Sequence, residues 1–254
     1  RASLALAGIG KIFRPLLTRL PVVGTRLSAM VGLAPSRAPA AARRDFPLQG
    51  ALRGRVIMLE GCAQPVLAPS INAAAHFLLA SQGIEVLTIA EEGCCGALTH
   101  HMGREAEALA SVRRNIDAWT RVLEQGPVDA IVVTASGCGT TVKDYGFMLK
   151  NDPAYAAKAA AVSALTCDIS EYVSRLDLQP AVQRQPLTIA YHSACSMQHG
   201  QQIRDEPKRL LRAAGFTVRD VPEGHICCGS AGTYNLLQPE LSDQLRARKL
   251  SNIS

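Results

Sequence analysis

From residue 55 onward, short apolar runs alternate with longer stretches of helical period. RVIMLEGC (55–62) is a nearly unbroken apolar run closing on Gly-Cys, the pattern of a strand buried on both faces. PSINAAAHFLLASQ (69–82) has helical spacing and a cap signal at Ser70. GIEVLTIAEEGCCG (83–96) predicts a second short strand, GREAEALASVRRNIDAWTRVLEQG (103–126) a long helix, and VDAIVVTASGCG (128–139) a third strand. Ala-rich stretches near 153–164 and 169–176 predict two further helices. The pattern then restarts. LTIAYHSAC (187–195) reads as a strand, EPKRLLRAAG (206–215) as a helix stopped by Gly215, and FTVRDVPEGHICCG (216–229) as a strand leading to Cys-Cys-Gly.

The restart is a duplication. Between Cys62 and Cys94 lie 31 residues, and 31 also separate Cys195 from Cys227; the copies are offset by 133 positions. In each copy the second cysteine is doubled and followed by glycine: Cys94-Cys95-Gly96 and Cys227-Cys228-Gly229. Agreement of spacing, doubling and trailing glycine marks a repeat. Strands alternating with helices predict an α/β fold, with two tandem Rossmann-like strand–helix repeats and parallel sheets. Such sheets gather ligands at the carboxyl ends of their strands. Cys62, Cys94, Cys138, Cys195 and Cys227 all fall at or just past those ends. The expected organisation is a basic linker or amphipathic segment over 1–54, a first repeat over 55–180 and a second over 181–254, incomplete at its C-terminal end.

Charge refines this division. Residues 1–56 hold ten Lys or Arg and one acid, a balance of +9, whereas the remainder carries −3. The basic character therefore belongs to the N-terminal segment, and the slightly acidic body argues against an extended nucleic-acid surface there. Residues 3–34 mix apolar clusters with Lys11, Arg14, Arg19 and Arg26, and Pro15 and Pro21 divide them into short pieces. Such a segment suits either a membrane surface or partner, or packing on its own chain. Charges interrupt every apolar stretch, which fits a signal peptide poorly, and no apolar run is long enough to span a bilayer. Residues 35–50 are rich in Pro, Ala and Arg and read as a loop.

Eight cysteines are too few for a disulfide scaffold and too regular to be incidental. Adjacent cysteines on a strand point to opposite faces, so both can serve one site only from a tight turn, which Gly96 and Gly229 permit. In the first repeat Cys62, Cys94, Cys95 and Cys138 form a set of four, the usual thiolate complement of an iron–sulfur cluster. In the second, Cys195, Cys227 and Cys228 make a set of three. Soft thiolates without an accompanying His/carboxylate set favour Fe–S or Zn. A structural zinc site, an exchanging disulfide pair and simple burial are the competing readings, although zinc knuckles usually read C-x2-C and no such pair occurs here. Cys167 lies outside the repeat and reads as structural. His100, His101, His192, His199 and His225 flank the cysteines, either as cluster partners and proton carriers or as polar loop residues; His76 reads as packing.

The segments GCAQPVLAPSINAA (61–74), EEGCCGALTHHMG (91–103), TASGCGTTVKDYG (134–146) and HICCGSAGTYNLLQPE (225–240) resemble the cysteine-rich CCG domain family. That family includes subunits of heterodisulfide reductase, anaerobic glycerol-3-phosphate dehydrogenase and glycolate oxidase, and the resemblance leans to the last. It implies an oxidoreductase subunit, not catalytic alone, that holds a cluster of 4Fe–4S type on Cys62, Cys94, Cys95, Cys138, Cys195, Cys227 and Cys228. It also implies flavin-containing partner subunits carrying FAD and oxidising glycolate, electron delivery toward quinone, and a cytoplasmic location, peripheral on the membrane. Lactate, glycerol 3-phosphate or a heterodisulfide remain alternative substrates of the complex. The family's ferredoxin-like C-x2-C-x2-C-x3-C-P runs do not occur here, and residues 1–56 contain no Cys. The offset puts the closing cysteine of the second repeat at 271, beyond the final residue 254. The expectation is therefore a fragment whose second set is one thiolate short.

Overall fold

The computed structural model describes residues 11, 14–17, 24–33, 46–178, 187–230 and 233–254. Most of the N-terminal segment, including the greater part of its amphipathic stretch and of the 35–50 loop, lies outside these residues. Short helices over Arg14–Leu17 and Gly24–Leu33 are described. Two compact units can be recognised. One comprises Ala42–Pro65 and Pro69–Arg219; the other comprises Asp220–Ser254 with Val66–Ala68 and the described residues of the N-terminal segment.

In the larger unit, β1 (Gly54–Leu59), β2 (Ile84–Leu87), β3 (Ala130–Val133) and β4 (Thr166–Asp168) form one all-parallel sheet in the order β2-β1-β3-β4. β1 and β3 occupy the middle, and Val56–Leu59 and Ala130–Val133 are almost wholly excluded from solvent. Their unbroken apolar runs follow from that position, because a central parallel strand is covered on both faces. Alternate residues serve opposite sides. Ile57, Leu59, Ile131 and Val133 pack with Val112, Ile116, Trp119 and Val142, whereas Val56, Ala130 and Val132 pack with Leu79, Cys167, Tyr172 and Val173.

The covering helices obey local rules. Pro69 opens α1 (Pro69–Ser81) from its first turn, where a missing N–H costs nothing. Ser70 therefore lies inside the helix, not at its cap as the sequence suggests. After α2 (Ala97–His101), α3 (Glu105–Leu123) buries Ala108, Val112, Asn115, Ile116 and Trp119 as one stripe. Glu105 and Glu107 in its first turn and Arg121 in its last complement the helix dipole. Then come α4 (Ser136–Lys143), α5 (Tyr145–Met148) and α6 (Ala156–Leu165). β4 is the element the sequence conceals, since Thr-Cys-Asp has no apolar run. It leads into α7 (Ile169–Ser174) through a capping box, in which Ser170 N donates to Asp168 Oδ1 at 2.8 Å and Asp168 N donates to Glu171 Oε2 at 2.8 Å.

The second repeat provides β5 (Thr188–Tyr191), α8 (Glu206–Ala213), β6 (Thr217–Asp220), α9 (Tyr234–Leu237) and α10 (Pro239–Ile253). β5 and β6 form a separate two-stranded sheet. The 133-residue offset carries β2 onto β6 residue for residue and lays α1 over α8 and α3 over α10. Gly96 (φ +85°) and Gly229 (φ +79°) correspond, both in the left-handed region. Each also abuts the long helix that follows it: a Cβ at Gly96 would lie 3.1 Å from Ala108 O, and one at Gly229 2.5 Å from Ser242 O.

Candidate metal centre

β2, β1 and β3 are adjacent and parallel, so the loops leaving their carboxyl ends depart together. Cys62 follows β1 by three residues, Cys94 follows β2 by seven, and Cys138 lies in the first turn of α4, five residues beyond β3. These loops bring the four thiols of the first repeat near one another. Cys62 Sγ lies 3.5 Å from Cys94 Sγ. Cys94 interacts with Cys95, and Cys95 with Cys138. None of the eight cysteines forms a disulfide.

The thiols have distinct electrostatic settings. The neighbouring Cys138 thiol and burial push the Cys95 pKa up, and the neighbouring Cys95 thiol draws that of Cys138 down. Cys138 also stands at a helix N-terminus, where partial positive charge favours thiolate. Burial and the hydrogen bond to Cys94 raise Cys62 to about 11. Among the described residues no three His, Cys, Asp or Glu groups are arranged to hold a single metal ion. The donors are sulfur throughout and stand on three loops. That chemistry fits a polynuclear iron–sulfur group, whose ligands are thiolates. Cys62 is the exposed member, and a Cβ on neighbouring Gly61 would meet nothing within 4 Å.

Beneath the thiols lies a hydrogen-bond network that sequence reasoning missed. Asn115, wholly buried on α3, accepts from Gly93 N at 2.8 Å and donates to Cys94 O and Tyr145 Oη, both at 3.2 Å. Tyr145 Oη donates to Cys95 O at 2.9 Å. Burial pushes the Tyr145 phenol up, so it remains a donor. Glu92 accepts from Glu60 N at 2.8 Å and from Trp119 Nε1 at 2.9 Å, and burial raises its carboxyl. Glu60 faces Asn72 Nδ2 at 3.2 Å and His76 Nε2 at 3.0 Å. His76 is thus the buried partner of a carboxylate, which is more than packing. The available signal was a polar residue, Asn115, on the otherwise apolar stripe of α3.

The remaining expected residues are distributed as follows. Cys195 opens a π-helical turn, Ser196–Gly200. That turn packs against α4 through Ser136 Oγ–Ser196 Oγ (2.7 Å), Thr140 Oγ1 to Ser196 O (3.0 Å) and Gln201 Nε2 to Ser136 O (2.9 Å). Cys195 therefore stands beside the helix that carries Cys138. Cys227 and Cys228 belong to the smaller unit, seven and eight residues beyond β6, where Cys227 Sγ accepts from Gly229 N at 3.3 Å. Their turn is tied to α10 by Ser242 Oγ to Gly229 O at 2.8 Å. Cys167 is buried on β4, its thiol raised to about 11 by that burial, and it lies in the core. The rings of His100 and His101 are 5.8 Å apart and line a cavity of about 410 Å³ with Glu105, Asp144 and Lys150. His192 follows β5, His199 lies in the π-helical turn, and His225 lies near the Glu223 carboxylate.

Residues 56–143 and 189–254 match the cysteine-rich domain family designated CCG. The chain is 43% identical to the glycolate oxidase iron–sulfur subunit of Escherichia coli (strain K12) over 97% of its own length and 58% of that protein's. It is 29% identical to a probable glycolate oxidase iron–sulfur subunit of Bacillus subtilis (strain 168), over 83% of this chain and 47% of the relative. Lactate utilization protein A of Exiguobacterium sp. is 28% identical over 78% of this chain and 80% of the relative. The chain spans about half the length of the two glycolate oxidase relatives.

Proposed function

Because the chain belongs to the cysteine-rich CCG domain family, we propose that it is an iron–sulfur electron-transfer subunit of a glycolate-oxidising flavoprotein complex. The observation that carries this reading is the convergence of Cys62, Cys94, Cys95 and Cys138 on three adjacent strand-end loops, with Cys62 and Cys94 in contact at 3.5 Å and Cys95 and Cys138 electrostatic neighbours. These four would hold a 4Fe–4S-type cluster, which when bound supplies one-electron transfer at a potential tuned by ligands, hydrogen bonds and burial. The chain's own part is to hold thiolates and to fix their backbone. Asn115 and Tyr145 do so by fastening the Cys94 and Cys95 carbonyls. By sequence correspondence the thiolate role carries over, residue by residue, to Cys195, Cys227 and Cys228.

The substrate chemistry belongs to partners in this reading. Flavin-containing subunits bearing FAD would oxidise glycolate to glyoxylate, and electrons would pass through this chain toward quinone. The relatives' names support glycolate and, more distantly, lactate. No helix among the described residues is long and apolar enough to cross a membrane, which is compatible with a subunit peripheral to the cytoplasmic face. Analysis of the anaerobically purified complex for iron and acid-labile sulfide tests the reading. Both should be present, with visible absorbance bleached by reduction. Zinc, or no metal, would overturn it in favour of a thiol or zinc scaffold.

A further inference from the structure

We propose that Glu92 is the residue that sets the separation of Cys62 from Cys94, acting as a two-sided clamp between their loops and α3. Glu92 stands two residues before Cys94, and Glu60 stands two residues before Cys62. The carboxylate reaches back across this pair of loops. Its Oε1 accepts from Glu60 N at 2.8 Å, and its Oε2 accepts from Trp119 Nε1 at 2.9 Å. Trp119 has no exposed surface and is embedded between α3 and the sheet, stacked on Tyr145. One side chain thus references both thiol-bearing loops to a rigid part of the core. The two sulfurs immediately downstream of the clamp are those in contact at 3.5 Å.

The geometry gives Glu92 a task that no other side chain of the network shares. Asn115 and Tyr145 fasten only the Cys94–Cys95 loop. Asn72 donates to Glu60 O at 2.9 Å but belongs to α1 and does not reach the Cys94 loop. Glu92 is the side chain seen to join the end of β1 to the Cys94 loop. A carboxylate suits this place because both of its oxygens accept and both facing groups are N–H donors. A glutamine there would turn its NH2 toward one of the donors and lose that tie. The functional meaning rests on reading these thiols as cluster ligands, since cluster potentials respond to ligand placement. The spacing itself does not depend on that reading.

The test uses the full-length protein, reduced and freed of metal, and follows disulfide formation between Cys62 and Cys94 with diamide. Each disulfide formed passes two electrons and two protons to diamide, giving the hydrazine. Bond formation demands a narrow mutual geometry, so the rate and selectivity of the Cys62–Cys94 product, read by peptide mapping, report the spacing. Glu92→Ala and Glu92→Gln should slow it by roughly ten- to a hundredfold, the upper end being the loss expected for a misplacement of about 1 Å between reacting groups. Trp119→Phe cuts only the tie to α3 and should slow it less than either. Glu91→Gln removes the same charge from an exposed neighbour and should leave the rate unchanged. If Glu92→Ala does not accumulate folded, Glu92→Gln decides alone. In the reconstituted holoprotein, Glu92→Gln should shift the electron paramagnetic resonance signature at unchanged iron content. Wild-type crosslinking rates in both Glu92 variants would overturn the proposal. A wild-type protein without iron and sulfide would instead overturn the cluster reading and leave the crosslinking result standing.

Discussion

The phenol of Tyr145, on α5, donates a 2.9 Å hydrogen bond to the backbone carbonyl of Cys95. These residues are 50 positions apart, and both are buried. The bond fixes the Cys-Cys-Gly turn from its own backbone, leaving both thiols available. Replacing Tyr145 by Phe keeps the ring and removes that donor, leaving a buried carbonyl unpaired. The expected loss of stability is about 1–3 kcal/mol, measured as a lower denaturant midpoint at unchanged slope.

Cysteine replacements should sort by place in the fold. Cys62→Ser, Cys94→Ser, Cys95→Ser and Cys138→Ser should each lower bound iron and sulfide, because each removes one of the converging thiols. Cys167→Ala removes a thiol packed with Val56 and Val132 in the second core, and its iron content should match wild type. Equal iron loss from Cys167→Ala and Cys138→Ser would refute the assignment.

Gly96 is held by conformation and by space. Its φ is +85°, and a Cβ would sit 3.1 Å from Ala108 O. Gly103 has φ +73° but nothing within 4 Å of a Cβ. Gly103→Ala should therefore cost only the left-handed backbone penalty, roughly 1–2 kcal/mol, and Gly96→Ala more than that. Paired thermal denaturation curves give the comparison.

Glu223 titrates low chiefly because of Arg248, with a second hydrogen bond from Asn252 Nδ2 at 2.9 Å. The Arg248 guanidinium, with Nε 2.8 Å from Oε2, holds its pKa down to about 2 from the ordinary 4.5. A carboxyl lowered in the folded state contributes stability that is in place above its ordinary pKa and lost as pH falls through the folded value. The window here lies between about 4.5 and 2. Carbon-13 NMR of Glu223 should show a midpoint near 2, and Arg248→Ala should return it toward 4.5.

Much of this was legible in the residues. The unbroken apolar runs of β1 and β3, the 133-residue offset and the two Cys-Cys-Gly turns each follow from periods and spacings within short windows. Local chemistry of that kind survives in a string of letters. β4 did not, because three residues without an apolar pattern become a strand only when Ile131, Val132 and Val133 stand beside them to pair. Ser70 misled for a related reason, since Pro69 can already begin a helix.

The sequence alone determined that the repeated cysteines sit at or just past strand ends, because that depends on spacing along one chain. Only the tertiary structure decided what holds them. Glu92, Asn115, Trp119 and Tyr145 are scattered over 54 positions and carry no motif. Their roles arise from parallel strands placing three loops over one face of α3, where buried donors and acceptors must find partners or cost free energy. Pairing across such distances is a property of packing, and no window of sequence contains it.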